Sequence, residues 1–485
     1  MTAARTALVV ATLAAGAGCG PDDVIVAPVI DGPAPGSDAA AFPDLDEIVI
    51  AVARAGSPAD LLTATFTPGQ TIELAGVPDG DDLVLHLTGR LNGGDVAYGR
   101  TCGFALAADE PPPAPHLWFA RTVKWGDLAA SPAAVRRGGR AVVYRDGSAL
   151  FIGGDDATSQ PVTALERFDP VNGELRQITS LASRRDATVA TLGDGRLVIL
   201  GGIDPLNNAA AARLEVVELD GNGVGRVDTF DDLRLARSGA TAATLTDGRV
   251  VVFGGGPVGA APLAAPVEIA GDGATVAIRE LRAAMAFPRR GATATRLSDD
   301  LGAPVLITGG TDAAGVLVAP AELWKPLRED FADPLSFAPT MRVPRRGHAA
   351  VRMPDGSVLV IGGVGAADLP VRTLELFTLD AGFVDAGLLP PGAGVIEPSI
   401  TTLPDGRVLI AGGRETPGGE PVLGAYIINL DPLDGSVDAV TTDRLTAARA
   451  GHAAARLCDG TIVVLGGTDL ASPIERYEPP PLGRR

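Results

Sequence analysis

Aromatic side chains make up 4% of the 485 residues, too few for a surface built to stack on sugar rings. Histidine is scarcer still, with four copies, and no Cys-His pair, zinc spacing or glycine-rich phosphate loop accompanies them, so no ready-made metal or nucleotide motif is present. Basic charge is also short. Forty Lys and Arg against 59 Asp and Glu leave a net charge of −19, the wrong sign for nonspecific binding to nucleic acid or to anionic lipid headgroups. The apolar run near the start, Ala7 to Ala15, is too short to span a bilayer, and no second candidate span follows it. With three cysteines, a disulfide-dense scaffold is excluded as well.

What is abundant is turn chemistry. The 62 glycines and 39 prolines suit a chain of many short strands, and extensive helix is not expected. One phrase recurs seven times: an arginine, a small-residue run, an Asp-Gly turn, a short β-branched strand, then Gly-Gly. Its clearest copies run from Arg345 to Gly363 and from Arg449 to Gly467. The Gly-Gly pairs begin at Gly153, Gly201, Gly254, Gly309, Gly362, Gly412 and Gly466, spaced 48 to 55 residues apart, the period of a four-stranded unit. In six copies an Asp-Gly dipeptide lies seven residues before the pair, a two-residue hairpin signal because both central residues tolerate positive φ. The strand between, such as Val358 to Ile361, is apolar on both faces, as a sheet packed on both sides requires. Gly-Gly lets the backbone pass close beneath another segment, where a Cβ would collide.

Over roughly residues 117 to 485 the chain resembles the kelch-repeat β-propellers. That resemblance implies an all-β fold, a seven-bladed kelch-type β-propeller; the alternating segment upstream of it reads as a small N-terminal β-sandwich-like domain. The chain departs from the family in lacking most of the aromatics usual near the fourth strand; Trp125 fills that place once. The last copy ends after a third strand, Ile474 to Tyr477, while Leu117 to Lys124, followed by Trp125, reads as an orphan fourth strand that would close the ring from the other end of the chain.

Two charge columns run through the copies. Arg136, Arg184, Arg237, Arg289, Arg345 and Arg449 form one; Glu166, Glu215, Glu268, Glu322, Glu375 and Glu475 form the other. The sixth copy has Val395 and Ile428 in these places. Joint loss of both charges points to structural ion pairs, since an unpaired buried charge is costly. A second arginine follows in four copies, at Arg137, Arg185, Arg290 and Arg346, near one mouth of the expected channel. These four are the candidate ligand face, able to receive an anion or acidic peptide; the alternative is solvated loop arginines. Loops after each Gly-Gly share that face and carry Asp155, Asp156, Asp204, Asn207, Asn208, Asp312, Asp368, Arg414, Glu415 and Asp469.

The propeller resemblance extends to copper radical oxidases and to periplasmic sialic-acid epimerases. The first would need clustered His and Tyr ligands, for which the chain offers His116, His348, His452, Tyr144, Tyr426 and Tyr477; His348 and His452 share one repeat position and read as structural. The second would need acid-base groups converging on the channel mouth. No catalytic, cofactor-binding or metal residue is assigned, and no cofactor is expected.

Residues 1–19 read as a lipoprotein signal ending in a Gly16-to-Cys19 sequence that resembles a lipobox, with Cys19 the lipidation site; secretion with cleavage nearby is the alternative. Residues 20–44, rich in Pro, Ala, Gly and Asp, read as a flexible tether, 45–109 as the β-sandwich-like domain, 110–116 as a Pro-rich linker and 117–485 as the propeller. Leu83, Leu85 and Leu87 alternate with Val84, His86 and Thr88 inside the small domain. With Cys19 acylated, Cys102 and Cys458 remain, as a disulfide or as two free thiols. The reading is a protein-binding or assembly scaffold, lipid-anchored in a bacterial cell envelope. Its partner would be a protein, with an acidic one favoured by the second arginines, and a glycan the alternative ligand; no nucleic-acid partner is expected.

Overall fold

In the computed structural model the strands are short and almost all antiparallel, as closely spaced turns between β-branched runs dictate. The structure describes residues 25–481 except 35, 108–109, 129, 131, 133–134, 221–224, 272, 274, 432–436 and 468–473. Cys19 and Asp469 lie outside the described residues. Helix is limited among those described to three 3-10 turns, Phe42–Asp44, Leu233–Leu235 and Ala366–Asp368, and no helix is long and apolar enough to cross a membrane.

Among the described residues seven four-stranded sheets follow one another. The fifth is representative: Ala349–Arg352, Val358–Ile361, Thr373–Thr378 and Gly382–Leu388 lie side by side in chain order. Its second strand is buried at every residue, and alternate side chains face opposite neighbours because a strand has period two. In the first sheet Leu150 and Ile152 pack with Leu197 and Ile199 of the second, while Phe151 packs with Val463 and Leu465 of the seventh. The same alternation joins second to third, third to fourth, fourth to fifth, fifth to sixth and sixth to seventh. Among the described residues no sheet closes on itself; the shared cores close the cycle. Each fully buried Val, Leu or Ile contributes about 1.5–3 kcal/mol, so the apolar second strands hold this propeller-like, all-β arrangement together.

The seventh sheet takes three strands from the chain's end, Ala453–Arg456, Ile462–Leu465 and Glu475–Glu478, and its outer strand from Lys124–Asp127. Trp125 sits opposite Tyr477, with ring centroids 4.9 Å apart. The closing strand therefore starts at Lys124 and not at Leu117. Leu117 and Phe119 are instead buried in the N-terminal core, which draws His116–Trp118 into a parallel pair with Val29–Asp31.

That core underlies a six-stranded sheet: Ala120–Arg121, Gly94–Arg100, Gly80–Leu91, Glu47–Arg54 and Asp60–Phe66 in spatial order, with Phe104–Leu106 also on Gly80–Leu91. Leu83, Leu85 and Leu87 face the core with Ile48, Ile50 and Val52. In place of a second full sheet there are two ribbons, Ile25–Val26 with Leu74–Ala75 and the parallel pair just described. The expected tether is corrected accordingly: Val26, Ala39 and Ala41 are buried, so residues 25–44 are part of this layer. The short aliphatic pairs Ile25–Val26 and Val29–Ile30 anchor a segment whose overall composition suggested a linker.

Two contacts fasten this layer to the seventh sheet. Cys102 and Cys458 form a disulfide with Cα atoms 5.1 Å apart, across 356 residues of sequence. Nearby, the Arg476 guanidinium lies 5.1 Å from the Trp118 ring centroid and is bonded to the buried Asp459 carboxylate, a cation–π contact reinforced by an ion pair.

Candidate binding face

The sheets have two unlike ends. At one, the Asp-Gly turns carry bonds of their own: Asp355 accepts the Ser357 N–H at 2.9 Å and Asp405 that of Arg407 at 3.0 Å. Arg196, Arg249 and Arg407 fold back onto Asp194, Asp247 and Asp405 at 2.5–2.7 Å. At the other end the Gly-Gly pairs from Gly201 onward meet the next sheet. The Gly467 N–H donates to the Arg136 carbonyl at 2.7 Å, and a Cβ on Gly466 would stand 2.3 Å from that oxygen, so no side chain fits. Gly202, Gly255, Gly310, Gly363 and Gly413 make the equivalent bond to Arg237, Arg289, Arg345, Val395 and Arg449.

Five of the six Arg–Glu combinations are buried ion pairs. Arg289–Glu322 is 2.9 Å, Arg345–Glu375 and Arg449–Glu475 are 2.6 Å, and Arg136–Glu166 and Arg184–Glu215 are in direct contact. Burial pushes Arg136, Arg184, Arg289 and Arg345 below the usual guanidinium range, opposed by the facing carboxylate. The carboxylates also hold the incoming loop, as where Glu375 accepts the N–H groups of Arg342 and Val343, both at 2.9 Å. These columns are interior struts.

Arg237 departs from the column. In the other charged sheets the glutamate lies opposite the residue two before Gly-Gly: Phe151 opposite Glu166, Val360 opposite Glu375. In the third sheet that register position is Val267, opposite Val252, and Glu268 lies opposite Val251. A one-residue slip sends the side chain to the other face. Glu268 pairs there with Arg249 and, at 2.9 Å, with Arg279. Arg237 is left with the carbonyls of Arg234, Gly254 and Ala265 at 2.7–2.8 Å, and burial pushes it down to about 10. Register also replaces Ile428 by Tyr426 in the sixth sheet, opposite Ile410.

The four second arginines do reach the Gly-Gly face, where each pairs through its backbone with the residue after Gly-Gly: Arg137 with Asp155, Arg185 with Ile203, Arg290 with Thr311, Arg346 with Val364. Most of their donors are engaged by loops. Arg185 bonds Asp155 at 2.9 Å, Arg290 bonds four carbonyls at 2.6–2.8 Å, and Arg137 reaches the Asp156 carbonyl at 3.3 Å. The loop acids are likewise turn formers. Asp156 accepts the N–H of Gln160 and the N–H and hydroxyl of Thr158, which hold its carboxyl below the usual range. Asp204 and Asp312 cap turns at Leu206 and Ala314.

Arg346 is placed differently. Between the fifth and sixth sheets it lines a cavity of about 490 Å³ with Val364, Asp368, Ile396, Glu397, Arg414, Pro417 and Gly418. Arg346 pairs with Asp368 at 2.7 Å and Arg414 approaches Glu397 at 3.5 Å. Both carboxylates sit on left-handed backbone, φ 56° and 53°, a costly conformation for residues other than glycine that concentrates at ligand clamps. Composition alone could not show this cleft, because Arg414 and Glu397 come from a copy lacking the second-arginine pattern.

His348 and His452 do not converge on it. Each is buried between neighbouring sheets, His348 Nε2 at 3.1 and 3.2 Å from the Thr293 and Thr308 hydroxyls and His452 Nε2 at 2.7 Å from Ser399 Oγ. Burial, with the adjacent column arginine, pushes both down to about 3. His116 lies 3.2 Å from Asp31 in the N-terminal layer. The Tyr144 hydroxyl accepts the Leu219 N–H at 3.1 Å, and that of Tyr426 donates to the Pro391 carbonyl at 3.1 Å. Tyr477 is buried against Trp125. Among the described residues no group of three His, Cys, Asp or Glu side chains is arranged to hold a metal ion.

The arrangement thus defines an all-β, propeller-like protein with a mixed-charge cleft on one face. No family model matches the sequence, and no curated protein matches it. Among solved structures, one titled "Structure of YjhT" aligns at 12% identity and a TM-score of 0.44, covering 60% of this chain and 93% of that one.

Proposed function

We propose that this chain is a seven-bladed kelch propeller, held by a lipid on Cys19 in a bacterial envelope, that serves as a rigid binding scaffold. The observation that carries the reading is the cleft between the fifth and sixth sheets, where Arg346 and Arg414 face Asp368 and Glu397 in loops braced by their own turn bonds. Binding residues concentrate on loops positioned by a rigid frame. A partner segment would enter by exchanging these ion pairs for its own charge-assisted hydrogen bonds. An acidic segment must displace Asp368 from Arg346, so a segment carrying both signs suits the cleft better than a purely anionic one. The Cys102–Cys458 disulfide accords with an oxidising compartment.

The test is crosslinked capture from envelope extract with the full chain and with an Arg346→Ala, Arg414→Ala double variant. A partner enriched by the parent and reduced at least about tenfold by the variant, a loss of about 1.4 kcal/mol, is expected while thermal unfolding is unchanged. Equal capture by both proteins would remove the cleft from the interface.

A further inference from the structure

A buried carboxyl group lies where the N-terminal layer joins the seventh sheet. Strand Glu475–Glu478 runs to the Asp-Gly end of that sheet, where the Glu478 carbonyl accepts the Val123 N–H at 2.7 Å and the closing strand Lys124–Asp127 begins. Glu478 is 2% exposed, and its Oε2 is buried without a hydrogen-bond partner. Arg476, two residues earlier and so on the same face of the strand, is already committed. Its Nε donates to the Thr461 hydroxyl at 2.7 Å and its Nη2 to Asp459, while the guanidinium lies over the Trp118 and Phe168 rings. Asp459 also accepts the N–H and hydroxyl of Thr461 at 3.0 and 2.8 Å. Among the described residues that guanidinium bonds Asp459 and not Glu478. The other charges around the joint have partners of their own. Lys124, opposite Glu478 in register, lies 3.4 Å from Asp443, Arg167 of the first sheet bonds Asp146 and Asp169 at 3.1 and 3.0 Å, and His116 of the N-terminal layer bonds Asp31 at 3.2 Å. Tyr477 alternates to the opposite face, against Trp125.

We propose that Glu478 is a proton-operated latch on this joint: protonated, it stays buried and the joint is shut; ionised, it is driven toward water and loosens Lys124–Asp127 from Glu475–Glu478. The proposal is independent of the cleft. A sealed carboxylate without a bond is strongly disfavoured, whereas a neutral carboxyl is tolerated. Burial, and then the nearby Asp459 carboxylate, outweigh Arg476 and raise Glu478 well above the usual carboxylate range. The closed joint therefore holds a proton that an opened joint, with Glu478 in water, releases above the ordinary 4.5. Closure is tightest in acid and weakens as pH rises from 4.5 toward the value of the buried group. The Cys102–Cys458 disulfide keeps the layer tethered when the latch opens, so opening loosens the joint without detaching it. The sign is opposite to that of the buried His348 and His452, whose lowered values favour the fold at high pH, and the latch is accordingly read at the joint itself.

Amide hydrogen exchange of the full chain from about pH 5 to about pH 9, with each rate corrected for its own pH dependence, tests the latch. Protection of Lys124–Asp127 is expected to fall by up to about tenfold per pH unit, as release of one proton on opening dictates, while Val305–Thr308 of the fourth sheet keeps its protection. Glu478→Gln, which has the shape of the protonated form, is expected to make protection of Lys124–Asp127 independent of pH and at least as high as the parent shows in acid. The infrared carbonyl band of a protonated carboxyl, recorded on the parent at about pH 7, where ordinary carboxyls are ionised, reads the same proton without a variant and is expected to be present. A parent joint indifferent to pH, a pH response that survives in Glu478→Gln, or absence of the band overturns the proposal. So does a Glu478→Gln joint that is open at every pH, which would make the carboxylate the closed form.

Discussion

Two ion pairs of the same composition separate the two parts of this molecule. In the fifth sheet Arg345 and Glu375 meet at 2.6 Å with their side chains 0% and 1% exposed; in the N-terminal sheet Arg90 and Glu47 meet at 3.0 Å with 39% and 40% exposed. The distances are similar and the consequences are not. In water the second pair is largely screened and contributes little, whereas the first is sealed between sheets, where its members cannot be separated without stranding a charge. The sheets of the cycle use charge as an internal strut. The N-terminal layer keeps charge at its surface and depends on its apolar core, its disulfide and the Arg476–Trp118 contact to stay in place.

The strongest way to break this contrast is to remove one carboxylate from each pair. Glu375→Gln is expected to destabilise by about 3–5 kcal/mol because Arg345 stays buried without its counter-charge, while Glu47→Gln is expected to change stability by less than about 1 kcal/mol. Urea unfolding of the two variants gives both values, and equal losses would abolish the distinction.

The third sheet sharpens the same contrast from within. Arg237 is buried with three carbonyls and no carboxylate partner among the described residues. Arg237→Met is expected to cost roughly 1–3 kcal/mol, the price of orphaned acceptors, against about 3–5 kcal/mol for Arg345→Met, which strands Glu375. Matching losses in thermal unfolding would mean that the glutamate column adds nothing.

The last contrast is read as a slope with pH. His348 and His452 are held at about 3 against an ordinary 6.5, so between those values the unfolded chain binds protons that the folded one refuses. Stability is therefore full above about 6.5 and is lost as pH falls toward 3, by about 1.4 kcal/mol per pH unit for each histidine. His452→Gln, which keeps a donor for Ser399, is expected to halve the histidine share of that slope in urea titrations from pH 6.5 to 4. An unchanged slope would show that His452 does not titrate in this way.

Legibility in the sequence followed how local the determining physics is. Asp-Gly turns, apolar second strands and Gly-Gly pairs each act within a few residues or against an obligatory neighbour, and their spacing maps directly onto seven sheets. The Arg and Glu columns were readable because the repeat supplies its own internal comparison. Glu268 misled it, since counting from Gly-Gly does not reveal a one-residue difference in loop length, and one residue reverses a strand's face. Residues 25–44 misled it too, because a few aliphatics, Val26 and Ile30 among them, outweighed a linker-like composition once a core was there to receive them.

By itself the sequence determined the repeat, the turn that opens each hairpin, the apolar strands and the glycines that admit the next backbone, because each rests on short-range sterics or on periodicity. Only the tertiary structure decided which charges are paired, that Cys102 lies against Cys458, that Arg346 and Arg414 border one cleft while Arg290 is bound up by carbonyls, and that Glu478 is buried at a joint with no bond to its Oε2. Those outcomes depend on segments tens to hundreds of residues apart arriving in one place, and on strand register, which a linear pattern does not contain.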